Sequence, residues 1–442
     1  MSIFSGIAQR AVHSRLKRLT EGRLTLRHDG DSTVFGSGDA PAATVTVHDP
    51  DFFFAMALGG HLGAAESYVE GGWDVDDVTA LIRLFLQNRE ALEGLETGVA
   101  RLAQPIRVLL HGLNRNTRFG SKRNILRHYD LGNDLFAQFL DDTMTYSCGI
   151  FESADRSMHE ASIEKYDRIC RKLELTPEDH ILEIGTGWGG FALHAASTYG
   201  CRVTTTTISD QQHELATERV AAAGLTERIT VLHRDYRDLD GTYDKLVSIE
   251  MIEAVGHQYF GTYFEQCAKL LKPHGKAAIQ AITIQDRYYE SARREVDFVK
   301  RYIFPGSCLP AVSVLTAAAA ETDLRLVHLE DITPHYAETL RRWRERFVRN
   351  WPAISALGYD ERFKRLWSFY FSYCEAGFDE AVLGDVQLLF AKPKASGVWP
   401  GSDLAPSSER RRQSLRSQGD AHRPYRRTTS VFLPRPPKAD VS

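Results

Sequence analysis

Apolar and polar residues alternate with two different periods along this chain, and the changes of period outline its elements. From about residue 155 to about residue 392, short apolar runs alternate with stretches of helical spacing. Ile181–Ile184, Arg202–Ile208, Ile229–Leu232, Lys245–Ile249 and Lys276–Thr283 read as strands, the first two followed by helices reaching Ala196 and Ala223. Repeated strand-then-helix units predict an α/β architecture with a doubly wound, mostly parallel sheet. Leu324–Leu329 and Val386–Ala391 come late, without short helical spacing, and read as a hairpin-like edge. Nearer the start, Arg23–Arg27 and Ala43–His48 alternate with period two, as half-buried strands do, and Asp29-Gly30 is a turn signal between them. Helical spacing marks Asp51–Gly59, Gly63–Glu70 and Thr79–Leu95, with Gly71-Gly72 stopping the second. The segment Met1–Leu19 is amphipathic. Ile3, Phe4, Ile7, Ala8, Val12, Leu16 and Leu19 fall near one face, with Arg10, Arg15, Lys17 and Arg18 between them. Such a helix either docks on its own domain, the commoner outcome, or lies on anionic lipid.

These patterns divide the 442 residues into a small α+β domain over 1–95, a helical linker over 96–125, a catalytic domain over 126–394 and a tail over 395–442. The tail is rich in Ser, Pro and Arg and is expected to be disordered. Arg115, Arg118, Lys122, Arg123 and Arg127 give the linker a basic end, which is either a solvated face or an attractant for lipid headgroups. Lys plus Arg total 54 against 58 Asp plus Glu, a formal charge of −4, which speaks against a nucleic-acid partner. No apolar run reaches the ~18 residues a spanning helix needs, and the start lacks a signal-peptide core. The six cysteines show no metal-ligand spacing, so no metal site is expected and a reducing cytoplasm fits.

Three segments carry candidate chemistry. Glu183-Ile-Gly185-Thr-Gly187-Trp-Gly189-Gly190 sits where a strand turns into a helix. Glycines there let the backbone turn tightly and approach a ligand, and the helix start offers free N–H groups. Gly185, Gly187 and Gly190 also satisfy a dinucleotide pattern, but that fold wants an acid at the end of its second strand. Here that strand runs out in Thr204–Ile208, with no acid before Asp210, so the spacing suits S-adenosylmethionine better. His128–Phe136 and Thr145–Phe151 crowd polar and aromatic groups ahead of the first strand and read as a segment folding over the pocket. Cys148 alone reads as a buried small hydrophobe. Ser248–His257 lies at the carboxyl end of the fourth strand, the edge where open α/β sheets hold ligands. A carboxylate there is either catalytic or a helix cap, and Glu253 ranks above Glu250 because it lies beyond the strand.

Several blocks in one order resemble the cyclopropane-fatty-acyl-phospholipid synthases and the mycolic acid cyclopropane synthases. They are Arg127-His-Tyr-Asp-Leu-Gly-Asn-Asp, Met144-Thr-Tyr-Ser-Cys-Gly-Ile-Phe, Leu182-Glu-Ile-Gly-Thr-Gly-Trp-Gly-Gly, Ile249-Glu-Met-Ile-Glu-Ala-Val-Gly, Tyr302-Ile-Phe-Pro-Gly and Phe371-Ser-Tyr-Cys-Glu-Ala-Gly-Phe. The resemblance runs from about residue 20 to about residue 392. It implies a class I methyltransferase fold, with a seven-stranded sheet behind a smaller lipid-engaging domain. It implies transfer of a methylene carbon from S-adenosylmethionine to the cis double bond of an unsaturated phospholipid acyl chain. A cyclopropane ring then closes through a carbocation, with bound bicarbonate as base. The family's bicarbonate site falls on Cys148, Glu253, Gln280, Ile282 and Tyr336. Cys148 and Ile282 would use mainly backbone groups, Glu253 would hydrogen-bond the ion and Tyr336 would donate its hydroxyl. Many members carry His where Gln280 stands; Gln can hold an ion but cannot titrate. Cys374 matches a family cysteine and is expected to line the pocket, because no covalent enzyme step exists for it to serve. The cofactor site falls on Thr145, Tyr146 and Ser147; on Glu183, Gly185, Gly187, Trp188 and Gly189; on Thr207, Ile208 and Gln212; and on Asp235, Tyr236 and Arg237. The resemblance further implies a cytoplasmic enzyme, peripheral on the inner face of the membrane, and a homodimer. Two alternatives stand beside it: the same cation leaving as a methylene- or methyl-branched chain, and a non-catalytic lipid binder.

Overall fold

The computed structural model describes residues 3–92 and 131–395. The helical linker, the block from Arg127 to Asp130 and the tail beyond Ala395 lie outside the described residues.

Two sheets organise the rest. Strands β1 (Arg23–His28), β2 (Asp31–Phe35), β3 (Ala42–Val47) and β4 (Trp73–Val75) form a four-stranded sheet in the order β2-β1-β3-β4. Asp29 and Gly30 both adopt positive φ, 51° and 84°, the two-residue turn that closes a tight hairpin. That turn folds β1 back onto β2, not onto the Ala43 strand as the spacing suggested, and β3 instead pairs parallel with β1. The helix Asp51–Val69 runs on through the break expected near Gly59, kinking at Gly60. Gly63 is required there, since a Cβ would stand 2.2 Å from the Ala55 carbonyl oxygen. The N-terminal helix Ile3–Leu16 docks on its own sheet: Ala8, Val12, Leu16 and Leu19 are buried with Leu24, Leu26, Phe35 and Phe53.

The larger sheet has seven strands: β5 (His180–Ile184), β6 (Arg202–Thr207), β7 (Ile229–His233), β8 (Tyr243–Ile249), β9 (Leu271–Ile284), β10 (Arg325–Asp331) and β11 (Leu383–Ala391). Their order is β10-β11-β9-β8-β5-β6-β7, and β5 to β9 are parallel. The two late strands pair antiparallel as expected, but only β10 is an edge. β11 is inserted beside β9, and its residues from Asp385 onward are buried throughout. That near-continuous burial is what a strand covered on both faces requires.

The helix Glu361–Asp379 joins the two sheets' surroundings. Trp367 and Phe371 share a core with Phe139, Trp343 and Phe347, and Leu62, Ala65, Val69 and Ile82 from the first part of the chain enter the same core. Around that core, Arg365 reaches Asp74 at 2.8 Å and Arg83 reaches Glu380 at 2.7 Å. The carboxyl ends of β5, β6 and β8 and this helix therefore face one interior space.

Candidate active site

That space is a cavity of 1190 Å³ whose wall carries apolar residues of the four-stranded sheet at one end and the glycine turn at the other. It exceeds the ~300–1,000 Å³ usual for one small ligand. Among the described residues, no helix is long and apolar enough to cross a membrane.

The glycine turn is built by its own hydrogen bonds. The N–H groups of Gly185 and Thr186 both donate to the Thr206 carbonyl, at 3.1 and 2.9 Å, tying the turn to β6. Gly185 and Gly187 stand at φ 100° and 51°, and a Cβ on Gly187 would meet only open space. Beneath the turn, Glu183 accepts from the Thr205 hydroxyl at 2.6 Å. At the end of β6, Thr207 donates to Gln212 Oε1 at 2.8 Å, which leaves the Gln212 amide N–H groups for an acceptor in the cavity. Asp235 is held by Arg237 at 2.6 Å, and the Tyr236 hydroxyl is buried with no hydrogen-bond partner. A cradle free of side chains, an amide donor at the end of β6 and an orphaned hydroxyl on Tyr236 suit the methionine, ribose and adenine parts of S-adenosylmethionine.

Other expected cofactor residues take different positions. Ile208, Thr145, Tyr146 and Ser147 line the cavity, but Thr145 is tied to Tyr166 at 2.6 Å and Ser147 accepts from Lys165 at 2.5 Å. Tyr146 and Tyr370 pair through their hydroxyls at 3.0 Å. The Trp188 indole donates to Asn133 at 2.7 Å and packs on Phe136, so much of it serves the core. Gly189 is not on the wall: it lets the turn approach Ala216, where a Cβ would come within 3.4 Å.

The five residues expected to hold bicarbonate are brought together, three of them hydrogen-bonded to Glu250, which the sequence ranks below Glu253. Glu250 Oε1 accepts the Cys148 N–H at 2.8 Å and the Gln280 amide at 2.7 Å, and Glu250 Oε2 accepts the Tyr336 hydroxyl at 2.6 Å. Glu253 accepts the Ile282 N–H at 2.5 Å, and its other oxygen is buried without a partner. Glu250 and Glu253 reach the cavity wall, whereas Cys148 and Gln280 sit behind it. Asp385 adds a third carboxyl, taking the Gln280 amide at 3.0 Å. The residues present therefore do not fit a bicarbonate ion: the Cys148 and Ile282 N–H groups, the Gln280 amide and the Tyr336 hydroxyl already serve the chain's own carboxyls. Cys374 is on the wall, and burial pushes its thiol up, which keeps it protonated and agrees with a lining role. Lys165, not singled out from the sequence, is wholly buried and faces Glu250 and Asp385.

Burial raises Glu183 to about 8, and burial together with Glu250 raises Glu253 to about 8. An acid raised on folding holds its proton more tightly in the native state, so its contribution is full below the unfolded pKa. Stability should therefore fall as pH rises from about 4.5 to about 8. Urea unfolding across that range should show this slope, and Glu253→Gln should flatten it; an unchanged slope would reject the raised value.

A family model described as "Mycolic acid cyclopropane synthetase" matches residues 117–388. A tuberculostearic acid methyltransferase of Mycobacterium tuberculosis is 38% identical over 387 residues, 85% of this chain and 90% of that one. A cyclopropane-fatty-acyl-phospholipid synthase of Escherichia coli K12 is 35% identical over 367 residues, covering 82% and 91%. The solved structure of a mycolic acid cyclopropane synthase with SAH and CTAB is similar at a TM-score of 0.58 and 30% identity, covering 61% of this chain and 98% of that one.

Proposed function

The chain belongs to the mycolic acid cyclopropane synthetase family of S-adenosylmethionine-dependent methyltransferases, and from that premise we propose that it adds one carbon to the cis double bond of an unsaturated phospholipid acyl chain, closing a cyclopropane ring. The observation that carries this reading is the single cavity shared by the glycine turn, the Glu250 cluster and the apolar end against the four-stranded sheet. S-adenosylmethionine, when bound, supplies an electrophilic methyl carbon. The chain's residues do the rest. The glycine turn and Gln212 fix the donor, and the apolar end takes the length of the acyl chain. An alkene is a weak nucleophile, so holding it in line with the methyl group is a large part of the task. Tyr146, Tyr370 and Phe369 line the cavity, where aromatic rings favour a developing cation and an apolar lining keeps water from trapping it. The part of the chain before residue 95 is read as the lipid-engaging unit, acting on the inner face of the membrane from the cytoplasm.

A second product is supported by the 38% identity to a tuberculostearic acid methyltransferase. If a hydride moves to the cationic carbon before the proton leaves, the same cation ends as a methylene branch, which later reduction turns into a methyl branch. The test is incubation with isotopically labelled S-adenosylmethionine and vesicles of mono-unsaturated phospholipid, with the lipids read by mass spectrometry and proton NMR. Upfield ring protons on a lipid one methylene heavier are expected. Exomethylene protons would replace the first product by the second, and no transfer to any unsaturated lipid would reject the reading.

A further inference from the structure

Glu250, the residue after β8, stands in a left-handed conformation, φ 49°, which a non-glycine residue adopts at a cost of about 1–2 kcal/mol. Such strain persists where the surroundings over-determine it, and often marks function. Here the Glu250 N–H donates to the Gln280 carbonyl at 2.9 Å, and the conformation aims the carboxylate at the cavity. Cys148 N–H, the Gln280 amide and the Tyr336 hydroxyl all donate to its side chain, and Asp385, hydrogen-bonded to Glu250 and pushed well above the usual carboxyl range by burial and by that neighbour, is the member of the pair that keeps the proton. That is the pattern of an acceptor-only, ionised carboxylate.

The Gln280 amide cannot be turned round without loss. Lys172 Nζ, a donor only, holds Gln387 Oε1 at 2.6 Å, so the Gln387 amide N–H faces Gln280 Oε1 at 3.0 Å. Gln280 Nε2 must then face Glu250 and Asp385. The chain Lys172–Gln387–Gln280 thus fixes a donor on Glu250, and Gln280 is a positioning residue for it. Neither neighbouring carboxyl is suited to take up a proton at neutral pH, because burial and mutual repulsion hold Glu253 to about 8 and push Asp385 well above the usual carboxyl range.

We propose that Glu250 is the proton acceptor of the reaction, a carboxylate of the chain standing where a separate small anion would otherwise be held. This rests on the carbon-transfer reading above. The methyl carbon bonds to one alkene carbon through the alkene π pair, and its bond to sulfur breaks with the sulfur keeping that pair. The other alkene carbon is left cationic. Glu250 takes one proton from the transferred carbon, and the freed C–H electron pair forms the third side of the ring. If a hydride has shifted first, the same pair forms the exomethylene bond. In both outcomes the proton lost belongs to the transferred carbon, so the role of Glu250 does not depend on the product. The proton then passes from Glu250 to water as the lipid leaves.

The experiment compares the full chain with Glu250→Gln and Glu250→Gly in buffer stripped of carbon dioxide, with and without added bicarbonate. Transfer to mono-unsaturated vesicles, S-adenosylhomocysteine affinity by calorimetry, and binding of carbon-13 bicarbonate by NMR are measured. The unaltered chain should turn over without bicarbonate and show no bound ion. Glu250→Gln should lose about 10²–10⁴ of turnover while keeping S-adenosylhomocysteine affinity within a few-fold. Glu250→Gly, which suits the positive φ and vacates the carboxylate's place, should bind bicarbonate and recover turnover with it. Bicarbonate dependence of the unaltered chain, or full turnover by Glu250→Gln, would overturn the proposal while leaving carbon transfer standing. Should neither variant fold, the bicarbonate dependence and ion binding of the unaltered chain decide. No transfer by the unaltered chain under any condition would reject the carbon-transfer reading itself.

Discussion

Lys165→Met is expected to remove about 3–5 kcal/mol of folding stability and most of the turnover. Lys165 is fully buried, donates to Ser147 at 2.5 Å and lies 4.5 Å from the centre of the Tyr166 ring. Its charge is felt by Glu250, Asp385 and Asp141, and burial alone lowers its own pKa. Methionine fills a similar volume, so the loss is that of a counter-charge and not of packing. Without it Asp385, already pushed well above the usual carboxyl range, would lose the one cation that lowers it and hold its proton more tightly in the folded state. The penalty should therefore be larger at about pH 8 than at about pH 6, since protonation relieves it. Urea unfolding at the two pH values measures this. An equal loss at both would show that Lys165 acts through packing alone.

The parallel strands and the glycine turn were legible because local rules decide them. Five apolar runs at the spacing of strand–helix units leave little choice of architecture, and a strand running into Gly185, Gly187 and Gly189 has one economical geometry. Asp29-Gly30 was legible as a turn but not as to its partner. Asp31–Phe35 alternates weakly because only Phe35 is buried, so the hairpin strand carried almost no pattern. β11 was read as an edge although, Gln387 aside, its run from Val386 to Ala391 is apolar on both faces. That composition belongs to an interior strand, and its neighbours could not be known without the sheet order.

Within the site, Glu253 was ranked above Glu250 on position along the chain. The structure gathers the Cys148, Gln280 and Tyr336 hydrogen bonds on Glu250 instead. A residue continuing a parallel strand would point to one face of the sheet, but Glu250 follows β8 with positive φ and lines the cavity beyond the strand's end. The signal that pointed to it was indirect. A glutamine at 280, in register with Ile249 on the next strand, is a donor in search of a fixed acceptor. Lys165 gave no such signal, because a lysine in a helix carrying Glu160, Glu164 and Lys172 reads as a solvated residue until the packing is known.

Gly185→Val is expected to lower affinity for S-adenosylhomocysteine by at least about 100-fold, or about 2.7 kcal/mol, without unfolding the chain. At φ 100° a branched side chain has no relaxed conformation, and the new Cβ would stand 3.3 Å from both Cβ and Cγ of Met251. The turn must then move, and with it the N–H groups of Gly185 and Thr186 that anchor it to Thr206. Two neighbours separate displacement of the turn from simple strain. Gly187→Ala places its methyl in open space at φ 51°, so the protein tolerates it at about 1 kcal/mol while the methyl intrudes on the cradle. An intermediate loss of affinity is expected. Gly189→Ala faces Ala216 and not the cavity, so it should lower thermal stability and leave affinity nearly unchanged. Calorimetric titration and thermal unfolding of the three variants test this order. If Gly189→Ala weakened binding as much as Gly185→Val, the turn would be responding as one strained unit. The separate cradle at Gly185 and Gly187, on which the cofactor assignment rests, would then have to be withdrawn.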